Sequence, residues 1–313
     1  MATQNIVIAG AGIMGASIAQ IYAQYGHNVV LYDLFPEGIQ KGKDLIAINQ
    51  ETSITTGELT KEQSAQLVSH ISYATEMDCF KGADFVIEAI MERINVKHEF
   101  WSKASALVKE TAILTSNTSG LSLTEIAKAV VLPERFCGMH WVNPPHIVPL
   151  VEVIRGDKTS EFTAKAVYNN ALSIGKKPIM VKKDAQGFVL NRLQFAILRE
   201  SMHIVESGIA SVEDVDNVFK YGLGMRYAAI GPFETADLGG LDTFYNIASY
   251  LFADLSDRKT VTDMLTKLYE ENSYGVKSGK GFYDYSNGKD QDTIRRRDKM
   301  FLKLTKCLYG EEE

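Results

Sequence analysis

The sequence predicts an α/β fold of mostly parallel strands, followed by an all-α C-terminal domain. Two patterns predict it. Up to Val181, short continuous apolar runs alternate with segments of helical periodicity, and beyond Lys182-Lys183-Asp184 the signals are almost all helical. Continuous apolar strands separated by helices mean a parallel sheet covered on both faces. A chain of 313 residues is long for one domain and comfortable as two, so it divides into residues 1–184 and 185–313.

The elements follow in order. Residues 5–10 are a short apolar run ending in glycine, and 13–25 place Ile13, Ala16, Ile18, Ile21 and Tyr22 broadly on one helical face. A second strand spans 27–33 around Val29-Val30-Leu31-Tyr32. The next crossover exceeds what a crossover needs, because helical segments at 36–50 and 61–69 both precede the strand near Ile71. Thr60 and Gln63 are spaced as a capping box for the second segment. This helical hairpin insertion is expected to reach beyond the sheet toward substrate or a partner. Residues 84–88, 112–115 and 135–140 are further buried strands, with helices at 96–108 and 123–129 between them. Strands at 148–154 and 177–181 close the sheet region. Helices are then expected at 189–206, 212–221, 242–252, 261–271 and 292–308, and Leu190, Leu193, Ile197 and Ile204 form an apolar stripe on the first. Two packed layers of such helices, with apolar faces left over, favour a homodimer through this second domain.

Composition narrows the function. Hydrophobic residues at 45% and charged residues at 23% are those of a soluble globular chain. No apolar run approaches the roughly 18 residues of a membrane span, and the first strand begins too early to leave room for a signal peptide. Cys79, Cys137 and Cys307 are odd in number and scattered, so neither a disulfide framework nor a zinc site is indicated, and a reducing cytoplasm is the expected setting. A net charge of −6 argues against a nucleic-acid partner, and Arg295-Arg296-Arg297 reads as a solvated helix face. The expected partner is a small molecule, with no membrane and no nucleic acid.

Gly10-Ala11-Gly12-Ile13-Met14-Gly15 is G-x-G-x-x-G, with a strand before it, a helix after it and Asp33 at the end of the next strand. That context makes it a dinucleotide site of a Rossmann domain. Gly10 permits the tight turn, Gly12 lets the backbone approach the pyrophosphate, and Gly15 allows close helix–strand packing. The helix amino terminus supplies unpaired N–H groups. Asp33 can accept hydrogen bonds from the adenosine ribose hydroxyls and would repel a 2′-phosphate, so NAD is expected rather than NADP.

His140 ends an apolar strand, and Glu152 sits within Pro-Leu-Val-Glu-Val-Ile, where alternation puts it on the side of Leu150 and Ile154. An unpaired carboxylate there would be expensive and needs a partner. Histidine titrates near working pH, which suits a base for an alcohol proton, and a carboxylate beside it fixes the tautomer. On the residues alone, a proton-transfer dyad and a structural histidine both remain open, because spacing does not prove contact. His140, His146 and Glu152 lack a recognised metal-ligand spacing and are interrupted by Pro144 and Pro145, so no metal is expected. His27, His70, His98 and His203 read as surface or packing residues.

The chain resembles the 3-hydroxyacyl-CoA dehydrogenase family over nearly its whole length. Besides the glycine motif, the resemblance is carried by Ile-Glu-Ala-Ile-Met-Glu (87–92), Ser-Asn-Thr-Ser-Gly-Leu-Ser (116–122), Met-His-Trp-Val-Asn-Pro (139–144), Leu-Val-Glu-Val-Ile (150–154), Gly-Phe-Val-Leu-Asn-Arg (187–192), Gly-Pro-Phe (231–233) and Gly-Lys-Gly-Phe-Tyr-Asp-Tyr (279–285). It implies an NAD-dependent oxidoreductase that interconverts an L-3-hydroxy substrate and its 3-oxo form. It also implies that His140 is the general acid/base and Glu152 its orienting partner. Ser119 would bond the reacting oxygen, Asn191 would hold the substrate carbonyl, and Glu92, Lys97 and Asn143 would lie near the nicotinamide half of NAD.

Two departures bear on substrate. The hairpin tip Ser53-Ile54-Thr55-Thr56-Gly57-Glu58-Leu59 carries no positive charge, where short-chain acyl-CoA members tend to carry lysines. The stretch 222–232 resembles instead relatives that oxidise free hydroxy acids, namely L-gulonate 3-dehydrogenase with lambda-crystallin, and carnitine dehydrogenase. Trp141 with Asn143-Pro144-Pro145-His146, and Ala253-Asp254-Leu255-Ser256, are similar to a pyridine-carboxylate dehydrogenase of vitamin B6 breakdown. Arg226 could hold a free carboxylate by a bidentate pair, with a domain-internal ion pair as its bland alternative. The tail motif points back to acyl-CoA enzymes. A small free 3-hydroxy carboxylate is therefore expected over an L-3-hydroxyacyl-CoA such as 3-hydroxybutyryl-CoA of short-chain fatty-acid metabolism. A non-catalytic NAD-binding structural protein is the alternative of another class.

Overall fold

The computed structural model describes residues 3–57 and 59–310. It divides into two compact units, Met1–Asn191 and Arg192–Glu313.

The first unit is built on one eight-stranded sheet. Its elements are β1 (Asn5–Ala9), α1 (Ile13–Gln24), β2 (Asn28–Tyr32), α2 (Pro36–Thr55), α3 (Lys61–Ser69), β3 (Ile71–Ala74), β4 (Phe85–Glu88), α4 (Ile94–Leu107), β5 (Ile113–Ser116), α5 (Leu123–Ile126), β6 (Phe136–Trp141), β7 (Leu150–Ile154), α6 (Glu161–Ser173) and β8 (Lys177–Val181). Strand order is β3-β2-β1-β4-β5-β6-β7-β8. The order reverses between β1 and β4, which opens a crevice at the carboxyl ends of these two strands, where such sheets take their ligands.

Every neighbouring pair is parallel except β6 and β7. Residues 142–149 are too short a connection for a crossover, so the chain must return antiparallel. That return brings His140 directly opposite Glu152 in the register. The sequence assigns no element to 155–176, yet β7 and β8 run parallel and therefore require one. Helix α6 supplies it, capped by Ser160, whose hydroxyl accepts the Thr163 N–H. Helices on the two faces bury two apolar clusters, one around Ile6, Ile8, Ile18, Tyr22 and Trp141, the other around Val7, Phe85's neighbour Val86, Trp101, Leu114 and Phe136.

The hairpin of α2 and α3 has the expected capping box at Thr60 and Gln63. Toward its tip it is locked to α1 by a buried polar chain in which Ser64 and Gln20 both bond Gln50, at 2.8 and 2.7 Å. Glu58, at the tip, lies outside the described residues.

The second unit is helical: α7 (Leu190–Glu206, entered from the first unit), α8 (Val212–Val218), α9 (Gly224–Ala229), α10 (Pro232–Gly239), α11 (Leu241–Leu251), α12 (Asp263–Glu270) and α13 (Lys289–Tyr309). Among the described residues no helix is long and apolar enough to cross a membrane.

Candidate functional site

The glycine turn follows β1. Gly10 has φ of +103°, and a Cβ there would meet the Ala89 carbonyl oxygen at 2.5 Å, so the turn of β1 fits against the end of β4 only without a side chain. Gly15 meets the Gly10 carbonyl so closely that any Cβ would collide with it. Gly12 is different. It is the N-cap of α1, makes no side-chain capping bond, and has open space where its Cβ would stand. The uncapped N–H groups of Ile13, Met14 and Gly15 therefore face room for an anionic group. Asp33 directly follows β2, with Oδ2 accepting the Ala11 N–H at 2.9 Å and Oδ1 the Phe35 N–H at 3.1 Å. These bonds hold the carboxylate beside the turn with acceptor capacity to spare, as ribose hydroxyls need. The residues fit a dinucleotide.

Beyond β4 lies a charge network that the sequence shows only in part. Glu88 is 0% exposed and accepts from Lys97 Nζ at 2.5 Å, Ser116 Oγ at 2.7 Å, the Ile90 N–H at 3.0 Å and Trp101 Nε1 at 3.4 Å. Lys97, 1% exposed, also pairs with Glu92 Oε2 at 3.1 Å. Glu92 Oε1 accepts from Thr118 Oγ1 at 2.5 Å and from the Ser119 N–H at 2.9 Å. Burial pushes the Glu92 carboxyl up, but the Thr118 hydroxyl, the Lys97 charge and the Ser119 amide outweigh it and hold the group below its ordinary value. Ser119 itself is exposed, and its carbonyl accepts from Asn191 Nδ2 at 2.8 Å. Glu92, Lys97, Ser119 and Asn191 thus form one connected set. Glu88 is the hub that sequence reasoning missed, although a carboxylate ending the apolar strand Phe-Val-Ile-Glu signals a buried partner.

The second set is the dyad. His140 Nδ1 lies 2.8 Å from Glu152 Oε2, and both side chains are buried. Glu152 Oε1 accepts the backbone N–H groups of Val189 and Leu190 at 3.0 and 2.9 Å. Burial works to raise the Glu152 carboxyl, yet the His140 bond and the two amides hold it below its ordinary value. An ionised Glu152 makes Nδ1 the protonated nitrogen and leaves Nε2 free to accept a proton. The Phe188 ring packs against the imidazole, with centroids 5.7 Å apart.

Asn143 is exposed on the connection between β6 and β7. That connection is held by Lys176, another residue missed from sequence, whose Nζ donates to the Pro145 and Val148 carbonyls at 2.5 and 3.1 Å. Burial pulls its ammonium down to about 8. Arg226 stands on α9 in the second unit, exposed and without an ion pair among the described residues. Its domain-internal alternative is therefore not realised there.

Comparison with known proteins shows what the whole chain is similar to. Residues 5–185 match the NAD-binding domain of 3-hydroxyacyl-CoA dehydrogenase, and 187–285 match its C-terminal domain. The chain is 34% identical over 310 residues to 5-formyl-3-hydroxy-2-methylpyridine 4-carboxylate 5-dehydrogenase of Mesorhizobium japonicum, covering 99% of each. It is 36% identical over 283 residues to 3-hydroxybutyryl-CoA dehydrogenase of Clostridioides difficile, covering 90% of this chain and 99% of that one. Among solved structures, the same pyridine-carboxylate enzyme, described as an NAD+-dependent dismutase, superposes with a TM-score of 0.91 at 34% identity, covering 99% and 100% of the two chains. The (S)-3-hydroxybutyryl-CoA dehydrogenase of Ralstonia eutropha gives 0.76 at 36% identity, covering 91% and 100%.

Proposed function

The chain belongs to the 3-hydroxyacyl-CoA dehydrogenase family and is an NAD-dependent dehydrogenase acting on a CH–OH group, and from that premise we propose that its substrate is a small free L-3-hydroxy carboxylate, oxidised to the 3-oxo acid through His140. The observation that carries the mechanism is the buried 2.8 Å bond between His140 Nδ1 and Glu152 Oε2. It commits Nδ1 to the carboxylate and presents Nε2 as the base for the hydroxyl proton. Glu152 fixes the ring and stabilises the imidazolium that forms. NAD, when bound, supplies the hydride acceptor. Ser119 and Asn191 place the substrate oxygen atoms, and in the reverse direction the imidazolium returns its proton to the alkoxide.

Gly10, Gly12, Ile13, Met14 and Gly15 would hold the pyrophosphate and Asp33 the adenosine ribose. Glu92, Lys97 and Asn143 would serve the nicotinamide half. Lys97 does this from within, because its ammonium is enclosed between Glu88 and Glu92 and so sets the position of the Glu92 carboxylate.

Three observations support a free acid: the hairpin tip without positive charge, the unpaired Arg226 guanidinium, and the full-length similarity to an enzyme named for a pyridine carboxylate. The second reading, a 3-hydroxyacyl-CoA substrate, is favoured by the similarity to 3-hydroxybutyryl-CoA dehydrogenases. NADH formation with L-3-hydroxybutyryl-CoA, L-gulonate, carnitine and short hydroxy acids separates the two. We expect the higher kcat/KM for a free acid. Arg226→Ala should lower it about tenfold to a hundredfold, as loss of a charged hydrogen-bonded pair does. A higher kcat/KM for the CoA ester, unaffected by Arg226→Ala, overturns the preference.

We also place the protein in a reducing cytoplasm, since Cys79, Cys137 and Cys307 are all free. We take it to be a homodimer formed by its second unit. Apart from Met202, the fully buried apolar side chains among the described residues belong to the first unit. Helices α8, α9, α11, α12 and α13 bury none of their residues. A helical unit so poor in core needs another surface.

A further inference from the structure

We propose that Phe188 is a positioning residue: its left-handed backbone aims the Val189 and Leu190 N–H groups at Glu152 while its ring backs His140. The inference rests on the reading of His140 and Glu152 as the acid–base pair.

Gly187 and Phe188 have φ of +76° and +50°. The first is ordinary for glycine. The second is not ordinary for a bulky aromatic residue, which keeps such a conformation only where its surroundings over-determine it. Here they do. The Phe188 side chain is 2% exposed and belongs to the apolar cluster that includes Leu123, Phe136, Ile154 and Val181. Packing holds the ring, and the ring holds the turn.

The consequence falls on the next two residues. Their N–H groups converge on one oxygen, Glu152 Oε1, at 3.0 and 2.9 Å, while Oε2 takes His140 Nδ1 at 2.8 Å. The Phe188 ring meets the imidazole at an interplanar angle of 58°. A single segment, Phe188-Val189-Leu190, therefore touches both members of the pair. Glu152 is 0% exposed, and among the described residues its hydrogen-bond donors are His140 from β6 and these two amides. A carboxylate without water stays ionised only while such donors remain aimed at it. The amides hold the Glu152 carboxyl down against burial. If the turn relaxes, the carboxyl must rise, and the ionised form that orients His140 is lost at a higher pH than before.

Three variants of the full chain test this, by initial rates of NADH formation with whichever of L-gulonate, carnitine and L-3-hydroxybutyryl-CoA is turned over fastest. Phe188→Ala keeps the Cβ that disfavours positive φ and loses the packing that enforces it. Its kcat should fall about tenfold to a hundredfold, as misplaced catalytic groups do, and the acid limb of its pH–rate profile should move up. Phe188→Gly adopts the turn freely, so it should keep more of kcat than the alanine variant and the acid limb of the parent. Leu190→Pro deletes one donor at the first helical position, where proline is tolerated, and its acid limb should also move up. NADH fluorescence titration and KM for NAD should stay at parental values in folded variants. If Phe188→Ala does not fold, the glycine and proline variants decide. An alanine variant as active as the glycine variant, or an unmoved acid limb in Leu190→Pro, overturns the proposal. Parental activity in His140→Ala would instead overturn the dyad itself, so the two failures are distinct.

Discussion

Glu152 is the residue on whose charge state the proposed acid–base pair depends. Burial alone would favour its neutral acid, and three donors reverse that preference. Its folded pKa lies below the ordinary 4.5, so its favourable contribution to stability is complete above that value and disappears as pH falls through the lowered one. Glu92 follows the same sign. We therefore expect acid unfolding to begin only below the ordinary carboxylate range, and Glu152→Gln to flatten that part of the stability curve in urea titrations at stepped pH. In the same variant kcat should drop about a hundredfold to ten-thousandfold, the range associated with loss of positioned acid–base catalysis, while NADH affinity holds. Lys97 supplies a second prediction. Lys97→Met leaves the fully buried Glu88 carboxylate without its cation. Breaking a buried pair on one side destabilises by about 3–5 kcal/mol, to be read as a lowered midpoint in denaturant.

Between residues and the whole stand the elements, and here the β6–β7 return matters most. Its antiparallel register sets the imidazole opposite the carboxylate on one face. The amino-terminal turn of α1 is the element we assign to the cofactor, and glycine is a steric requirement there at two positions. Gly15→Ala would press a methyl group into the Gly10 carbonyl. We expect a loss of about 1–3 kcal/mol, as overpacking produces, together with loss of NADH binding by fluorescence titration. Gly12→Ala separates the two effects, because its Cβ meets no protein atom. That variant should keep its thermal midpoint and lose only cofactor affinity.

At the scale of the whole molecule, the uneven distribution of core is the main feature. Phe233 and Tyr245 are 88% and 75% exposed, and they belong to helices in a unit with almost no buried apolar side chain. Water does not tolerate so much apolar surface on a stable soluble unit. Light scattering at micromolar concentration should give twice the 34.7 kDa chain mass. Phe233→Glu with Tyr245→Glu should shift it toward the monomer and lower the thermal midpoint. A monodisperse monomer of full stability in the parent would sink the dimer.

How much was legible in advance follows from the range of the forces involved. The glycine turn, Asp33, the capping box at Thr60 and Gln63, and the alternation of strands and helices are local patterns, and local sterics and hydrogen bonds write them directly into the chain. The same holds for the family resemblance, whose motifs are contiguous. The contact between His140 and Glu152 was not local, since it waits on a strand return that places two positions opposite each other. Helix α6 became necessary only once β7 and β8 were known to be parallel. The Glu88 hub, the lysine holding the Pro145–Val148 carbonyls and the left-handed Phe188 are decided by packing, because a buried charge or a strained backbone is stable only where distant parts of the chain converge to satisfy it.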